Sequence, residues 1–279
     1  MSEIEAVFAK SPWRDVPQDR TEQVAHVPTM LAAEEQQLYY WLTAHWSQDV
    51  GEVVELGSYV GGSTARLAAG LQDAGKLARV FAYDHFRSDE ATKERVLYQN
   101  GIQPFEGENI LPLSKQLLAP WADRVVHRPG AIETKDWKGG PIEILVMDAS
   151  KSDVVMDRMA ETFFPHLIAG QSLVVQQDFY HWRLPWIPAQ MRRLQRWFKP
   201  VAYCPNDTVV FLHTNPITKA SIAKRRVQDF DDAQVKAALR QLNKRLPDWN
   251  KPNRIRKMIK AIEANPGVRK GYLMKRPER

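Results

Sequence analysis

Glycines and an acid follow a short apolar run near the start of this chain. The β-branched pair Val53-Val54 is typical of a buried strand, residues 55–62 (ELGSYVGG) form the turn, and residues 63–69 favour a helix with Ser63 or Thr64 as its N-cap. A strand, a glycine turn and a helix together present backbone N–H groups to a ligand, and glycine permits its close approach. This pattern predicts either a binding site for a polar ligand or an ordinary glycine-rich turn without one.

The spacing of the glycines narrows the choice of ligand. Gly57 and Gly61 do not follow the G-x-G-x-x-G pattern of dinucleotide binders, and no Lys-Ser/Thr pair follows them, so a P-loop is disfavoured. The next apolar segment, Leu77–Phe86, carries Asp84 near its carboxyl end. A carboxylate there can accept both hydroxyls of a ribose. Asp84 could instead serve as a turn residue or helix cap, but the preceding glycine turn favours a role in ligand binding.

Apolar runs alternate with helical segments along the body of the chain. An amphipathic helix at Leu31–Trp46 precedes the first strand, and the almost wholly apolar run Pro141–Asp148 is typical of a strand buried on both faces. Further strands are predicted at residues 123–133 and 172–175, with a hairpin formed by residues 201–204 and 208–213. The predicted fold class is therefore α/β, a doubly wound, mostly parallel sheet with a reversed edge.

Composition and charge exclude several classes of protein. The 279 residues are 44% hydrophobic and 26% charged, as in globular proteins, and no run of eighteen apolar residues indicates a membrane span. The charged N-terminus lacks a secretory signal, so a cytoplasmic location is expected. A single cysteine, Cys204, excludes an internal disulfide and a cysteine zinc cluster.

The net charge of +6 is spread unevenly. From Asn215 to Arg279 there are eighteen Lys or Arg residues against six Asp or Glu residues, while the rest of the chain is mildly acidic. A basic tail could attract nucleic acid, an anionic membrane surface or an acidic glycan. The favoured interpretation is a set of solvated helices that pack on the body of the protein or on a second subunit.

The acidic-x-Gly-x-x-x-Gly pattern at Glu55–Gly61 resembles motif I of the class I S-adenosylmethionine (SAM) methyltransferases. Motif I, Asp84, a turn at Gly130, the apolar strand to Asp148 and the final hairpin occur in the order of that fold, from about residue 31 to 213. The resemblance implies a SAM-dependent methyltransferase with a Rossmann-like, doubly wound seven-stranded sheet that ends in an antiparallel hairpin. It implies SAM binding by Glu55, Gly57, Ser58, Tyr59, Gly61, Ser63, Asp84, His85, Gly130, Ala131 and Asp148. The chain would then divide into an N-terminal arm or lid (1–30), a methyltransferase domain (31–214) and a basic helical extension (215–279).

The end of the fourth predicted strand bears on the acceptor. Nucleic-acid amino-methyltransferases typically carry Asn/Asp-Pro-Pro-aromatic there, whereas this chain has Asp148-Ala149-Ser150-Lys151. That sequence looks like the catechol-type and macrocin- or mycinamicin-type O-methyltransferases, which bind magnesium at the ends of the fourth and fifth strands. The resemblance implies Asp148, Gln177 and Asp178 as Mg²⁺ ligands, and a metal-bound hydroxyl would have a lowered pKa. A metal-free enzyme, in which Asp148 orients SAM and Asp178 caps a turn, is the alternative.

Two residues compete for the role of base beside Asp148. Lys151 occupies the position of the base in catechol methyltransferases and would need a depressed pKa, whereas His181 needs no large shift. The aromatic residues Tyr180, Trp182 and Trp186 could stack on an acceptor or pack their loop.

The predicted function is transfer of a methyl group to a hydroxyl of a small molecule or sugar. An RNA methyltransferase or binder that uses the basic extension, and a non-catalytic interaction module, are the two alternatives. Aromatic residues of the arm and the basic helices also fit a homo-oligomer.

Overall fold

The computed structural model describes residues 3–244, 246 and 251–277, and their strands form a seven-stranded sheet. The strands are β1 (Glu52–Leu56), β2 (Val80–Asp84), β3 (Val125–Pro129), β4 (Ile142–Met147), β5 (Leu173–Gln176), β6 (Phe198–Cys204) and β7 (Thr208–His213). Their order is β3-β2-β1-β4-β5-β7-β6. β2 is parallel to β1 and β3, whereas β7 is antiparallel to β5 and β6. The predicted mostly parallel sheet with a C-terminal antiparallel hairpin is confirmed.

Burial along β4 and β5 follows from their apolar composition. Every residue of both strands is buried, as expected where helices cover both faces of a sheet. Glu143 is the one charged residue of β4. Its carboxylate accepts hydrogen bonds from the Ser47 hydroxyl at 2.7 Å and the Gln48 N–H at 2.6 Å, which compensates its loss of hydration.

The chain forms two compact units. The first comprises Met1–Thr134 and Glu143–Leu145, and the second Lys135–Ile142 and Val146–Arg279. Parts of the predicted arm and extension lie outside the described residues, so their boundaries stay predictions. The helices of the first unit are α1 (Glu3–Phe8), α2 (Gln18–Glu22), α3 (Ala33–Trp41), α4 (Gly62–Asp73), α5 (Glu90–Val96) and α6 (Leu111–Leu117). Those of the second are α7 (Asp153–Phe163), α8 (Trp186–Arg193), α9 (Lys219–Ala223), α10 (Asp232–Asn243) and α11 (Pro252–Ala264).

Aromatic residues of the N-terminal arm are buried within the first unit. The ring of Phe8 lies 5.5 Å from that of Trp41 and 5.0 Å from that of Trp46, and Trp13 lies 6.4 Å from Trp41. Phe8 and Trp13 are almost wholly inaccessible to solvent. These two rings therefore stabilise the arm against the helix that precedes β1 and offer no surface to a second subunit.

The start of α4 differs from the predicted one. Gly61 is the N-cap, with a left-handed φ of 100°, so the predicted caps Ser63 and Thr64 are wrong. The hydroxyl of Thr64 donates a hydrogen bond to the carboxylate of Glu55 instead. A glycine cap lets the helix begin directly from the turn, because the left-handed region carries no steric penalty for glycine. Within the described ranges, no helix is both long and apolar enough to cross a membrane.

Candidate functional site

The turn between β1 and α4 is held in an unusual backbone conformation. Gly57 and Gly61 have φ values of 104° and 100°, and Tyr59 between them has a φ of 51°. A Cβ on Gly61 would lie 2.5 Å from the Leu118 side chain, so this position excludes a larger residue on steric grounds as well. The N–H of Gly57 donates to the carbonyl of Tyr83 at 2.8 Å, which fixes the turn to the end of β2.

Asp84 closes this turn from the neighbouring strand. Its carboxylate accepts the backbone N–H of Tyr59 at 2.9 Å through one oxygen and that of Phe86 at 2.7 Å through the other. A carboxylate has about four lone-pair sites, so each oxygen can accept a further hydrogen bond. Asp84 is partly exposed and its neighbour His85 is exposed. The carboxylate therefore keeps acceptor capacity toward a ligand with two hydroxyls.

Two further side chains of the turn differ in their hydrogen bonding. Glu55 is fully buried at the end of β1 and binds Thr64, which fixes the first turn of α4, while Ser63 beside it is half-buried. The Ser58 hydroxyl is also buried, and it has no hydrogen-bond partner among the described residues. Buried polar groups are normally paired. A ligand atom bound in the turn would supply that partner, so the turn fits a polar ligand.

The predicted turn after β3 lies beside Asp84. Gly130, with a φ of 116°, donates its N–H to the backbone carbonyl of Asp84 at 2.9 Å. Ala131 follows, and its carbonyl accepts both the N–H and the hydroxyl of Thr134. Hydrogen bonds thus bring together three segments that lie far apart in the sequence, namely the glycine turn, the end of β2 and the end of β3.

The second unit brings Lys151 into contact with two carboxylates. Its ammonium lies 3.0 Å from Asp148 Oδ1 and 2.8 Å from Asp178 Oδ2. Partial burial alone would lower the pKa of Lys151, but the charges and hydrogen bonds of both carboxylates more than offset this, so its pKa is raised. The Asp178 backbone is left-handed, with a φ of 59°. Lys151 is therefore a protonated link between the ends of β4 and β5.

Gln177, the third predicted metal ligand, is directed elsewhere. Its carboxamide oxygen accepts a hydrogen bond from the hydroxyl of Thr208 at 2.8 Å, and its backbone N–H donates to the carbonyl of Met147. Asp148 and Asp178 already share the ammonium of Lys151. In the part of the chain that the structure describes, no group of three His, Cys, Asp or Glu side chains could hold a metal ion. The predicted donor set does not fit Mg²⁺ in this arrangement.

His181 follows Asp178 in a tight turn. Its backbone N–H donates to the Asp178 carbonyl at 2.9 Å. The Nδ1 atom of its ring is buried with no hydrogen-bond partner among the described residues. Burial lowers the pKa of His181, and the opposing charges of Asp178 and Asp207 do not cancel this effect. The imidazole is therefore neutral at neutral pH and able to accept a proton.

Two cations, Arg66 and Lys257, have structural contacts that the sequence does not predict. The buried guanidinium of Arg66 donates to the carbonyls of Val27 and Gly62 and to Gln36, which ties the arm to α4, and burial lowers its pKa to about 10. The basic extension places Lys257 over the ring of Trp182. The sequence predicts that Trp182 either stacks on an acceptor or packs its loop, but it carries no signal that links this residue to a lysine so distant along the chain.

One segment of the chain matches a known protein family. Residues 54–178 match the model of a family described as a methyltransferase domain. No curated protein matches the chain.

Among solved structures, the O-methyltransferase NovP is similar with a TM-score of 0.50 and 14% identity, over 67% of this chain and 82% of that one. The calicheamicin methyltransferase CalS11 has a TM-score of 0.48 and 17% identity, over 76% and 91% of the two chains. A putative rRNA-methylase from Clostridium thermocellum has a TM-score of 0.47 and 14% identity, over 68% and 100%. At these identities the likeness to NovP concerns the fold alone.

Proposed function

We propose that the protein transfers the methyl group of SAM to a hydroxyl oxygen of a small molecule or sugar, and the match of residues 54–178 to the model of a methyltransferase-domain family supports this proposal. The observation that carries the proposal is the hydrogen bond between Asp84 and the glycine turn at Tyr59. It joins the two features that a nucleoside ligand needs, a backbone cradle and a carboxylate for the ribose hydroxyls.

In this proposal the first unit binds SAM. Asp84 accepts the ribose hydroxyls through the lone pairs that Tyr59 and Phe86 leave free. The Ser58 hydroxyl gains its missing partner from the ligand, and Gly130 and Ala131 lie beside the adenine, as in the resembling enzymes. When bound, SAM supplies an electrophilic methyl group for in-line displacement, a reaction in which positioning contributes much of the catalysis.

The residues of the second unit act on the acceptor. His181, neutral because burial lowers its pKa, takes the proton of the acceptor hydroxyl. Lys151 stays protonated between Asp148 and Asp178, and its third N–H can donate a hydrogen bond to the acceptor oxygen. Magnesium has no place in this scheme, since Lys151 binds the two carboxylates that an ion would need.

Two observations support oxygen as the acceptor atom. β4 is followed by Asp148-Ala149-Ser150-Lys151, which lacks the paired prolines typical of amino-methyltransferases acting on nucleic acid. A solved structure of similar fold, NovP, is an O-methyltransferase. The neutral His181 then takes the proton that a hydroxyl loses on methylation.

Calorimetric titration with SAM, followed by a panel of hydroxyl acceptors, tests the proposal. We expect SAM to bind, and we expect S-adenosylhomocysteine to form with at least one hydroxyl acceptor. Amine analogues of the same acceptors are the matched controls and should react more slowly. Absence of SAM binding would refute the proposal, as would a preference for the amines.

A further inference from the structure

Two cations contact the ring of Trp182, the residue next to His181. The guanidinium carbon of Arg183 lies 5.0 Å from the ring centroid, and the ammonium of Lys257 lies 5.9 Å from it. The imidazole of His181 stacks on the same ring at 6.1 Å. Helix α11 of the basic extension therefore delivers a positive charge to the surroundings of the proposed base.

Neither of these cations forms a salt bridge with the described residues, although the charge of Lys257 acts on Asp207 at longer range. The nearby carboxylates have other partners, because Asp178 binds Lys151 and Asp207 binds Arg254 at 3.3 Å. Within the described ranges, no salt bridge joins Arg183 or Lys257 to a carboxylate. The Trp182 cluster, defined here as Trp182, Arg183 and Lys257, thus holds two cations without a salt-bridge partner in the described part of the chain, since Asp207 is already paired with Arg254.

The basic extension contacts the backbone of Lys151 and Ser152 directly. The N–H of Gly271 donates to the carbonyl of Lys151 at 2.9 Å, and Ser152 forms a β-bridge with Lys270. A Cβ on Gly271 would lie 2.6 Å from the side chain of Leu184, so the two segments are closely packed. These contacts fix the extension beside the residues proposed to act on the acceptor.

We infer that the acceptor carries a phosphate ester, which Arg183 and Lys257 bind while its hydroxyl meets His181. This inference rests on the proposed function. A phosphate monoester carries a charge of about −1.5 to −2 at neutral pH, which is opposite in sign and similar in size to the combined charge of Arg183 and Lys257. The planar guanidinium of Arg183 can bind two phosphate oxygens at once, and Lys257 supplies a point charge. A neutral acceptor would form no ion pair with either cation.

Calorimetric titration tests the inference with two pairs of probes, phenyl phosphate against phenol and glucose 1-phosphate against methyl glucoside. We expect wild-type protein to bind at least one phosphate ester about tenfold more tightly than its neutral partner. Arg183→Gln and Lys257→Gln should each reduce that affinity about tenfold. Lys260→Gln removes an exposed charge from the same helix and should leave the affinity unchanged.

Equal binding of the esters and their neutral partners overturns the inference, as does an equal loss in Lys260→Gln. Binding of a short single-stranded RNA that depends on Arg183 and Lys257, without binding of either ester, would also overturn it and assign the cluster to nucleic acid. Titration of SAM into the same proteins separates the two proposals. Normal SAM binding without ester binding refutes only the present inference, whereas loss of SAM binding by wild-type protein refutes the proposed function.

Discussion

The Oδ2 atom of Asp84 accepts the backbone N–H of Tyr59 at 2.9 Å, which joins the end of β2 to the glycine turn after β1. Tyr59 holds a left-handed φ of 51°, a conformation that a large side chain rarely adopts without support from its surroundings. The hydrogen bond supplies part of that support. The same carboxylate therefore shapes the turn and remains available to a ligand bound against it.

Replacement of Asp84 by Asn tests this double role. The substitution exchanges one acceptor oxygen for an amide NH₂ group, so one backbone N–H loses its partner and the ribose loses an acceptor. We expect the affinity for SAM to fall at least about tenfold, and the free energy of unfolding to fall by about 1–3 kcal/mol. Calorimetric titration and urea denaturation measure these two quantities.

Asp123→Asn is the matched control for Asp84→Asn, because it makes the same chemical change at an aspartate of the first unit whose side chain is 76% exposed. It should leave both SAM affinity and stability close to those of the wild type. Unchanged SAM affinity in Asp84→Asn would show that the carboxylate serves the turn alone.

Replacement of Lys151 by Ala should convert its two carboxylate partners into a cation site. Asp148 and Asp178 would lose the ammonium that lies 3.0 and 2.8 Å from them, and their oxygens are donors that Mg²⁺ prefers. We expect calorimetry to show Mg²⁺ binding to Lys151→Ala but not to wild-type protein. Lys138→Ala, which removes an exposed lysine of the same unit, should behave as wild type. Tight Mg²⁺ binding by wild-type protein would show that the ion displaces Lys151 and would restore the metal-assisted mechanism.

The sequence predicts the sheet well, because its strands are marked by composition. The run at β4 is apolar enough to be identified as a central strand, and the glycines at Gly57 and Gly61 mark a turn that requires positive φ values. Tyr59 also has a positive φ value, but its residue type gives no sign of it. Such backbone conformations are imposed by hydrogen bonds from other segments, which a linear pattern does not contain.

Side-chain partners were the least predictable feature of the candidate site. The sequence predicts Lys151 as a candidate base, whereas its contacts with Asp148 and Asp178 keep it protonated. Thr64 has the right type and position for a helix cap, yet it binds Glu55 because the helix begins earlier, at Gly62. In both cases the competing partner is set by tertiary structure.

Replacement of His181 by Gln tests its role as the base. Glutamine retains hydrogen-bonding capacity but cannot take a proton, so turnover should fall by about 100-fold or more while SAM affinity stays unchanged. Burial lowers the pKa of His181, so kcat/KM of the wild-type protein should rise with pH through a midpoint below about 6.5. A pH titration of the imidazole by NMR should give the same midpoint without any acceptor. Turnover that is unaffected in His181→Gln would eliminate this residue as the base.

His213 at the end of β7 makes stability depend on pH. Its ring is fully buried against Phe198, and burial lowers its pKa to about 4 against a smaller opposing effect of the Trp197 backbone. The unfolded chain binds a proton near pH 6.5, whereas the folded protein does so only near pH 4. Stability is therefore fully present above about pH 6.5 and is lost as the pH falls toward 4. Between pH 7 and pH 5 the loss should be about 2 kcal/mol.

The substitution His213→Leu removes this titration and places an apolar side chain in a fully buried site. The free energy of unfolding, measured by urea denaturation at pH 7 and pH 5, should fall by about 2 kcal/mol less in the variant than in wild-type protein. Comparing these two differences cancels the contributions of all other ionisable groups, because both proteins share them. An equal fall in the two proteins would contradict the prediction, because it would show that His213 has the same pKa in the folded and unfolded states.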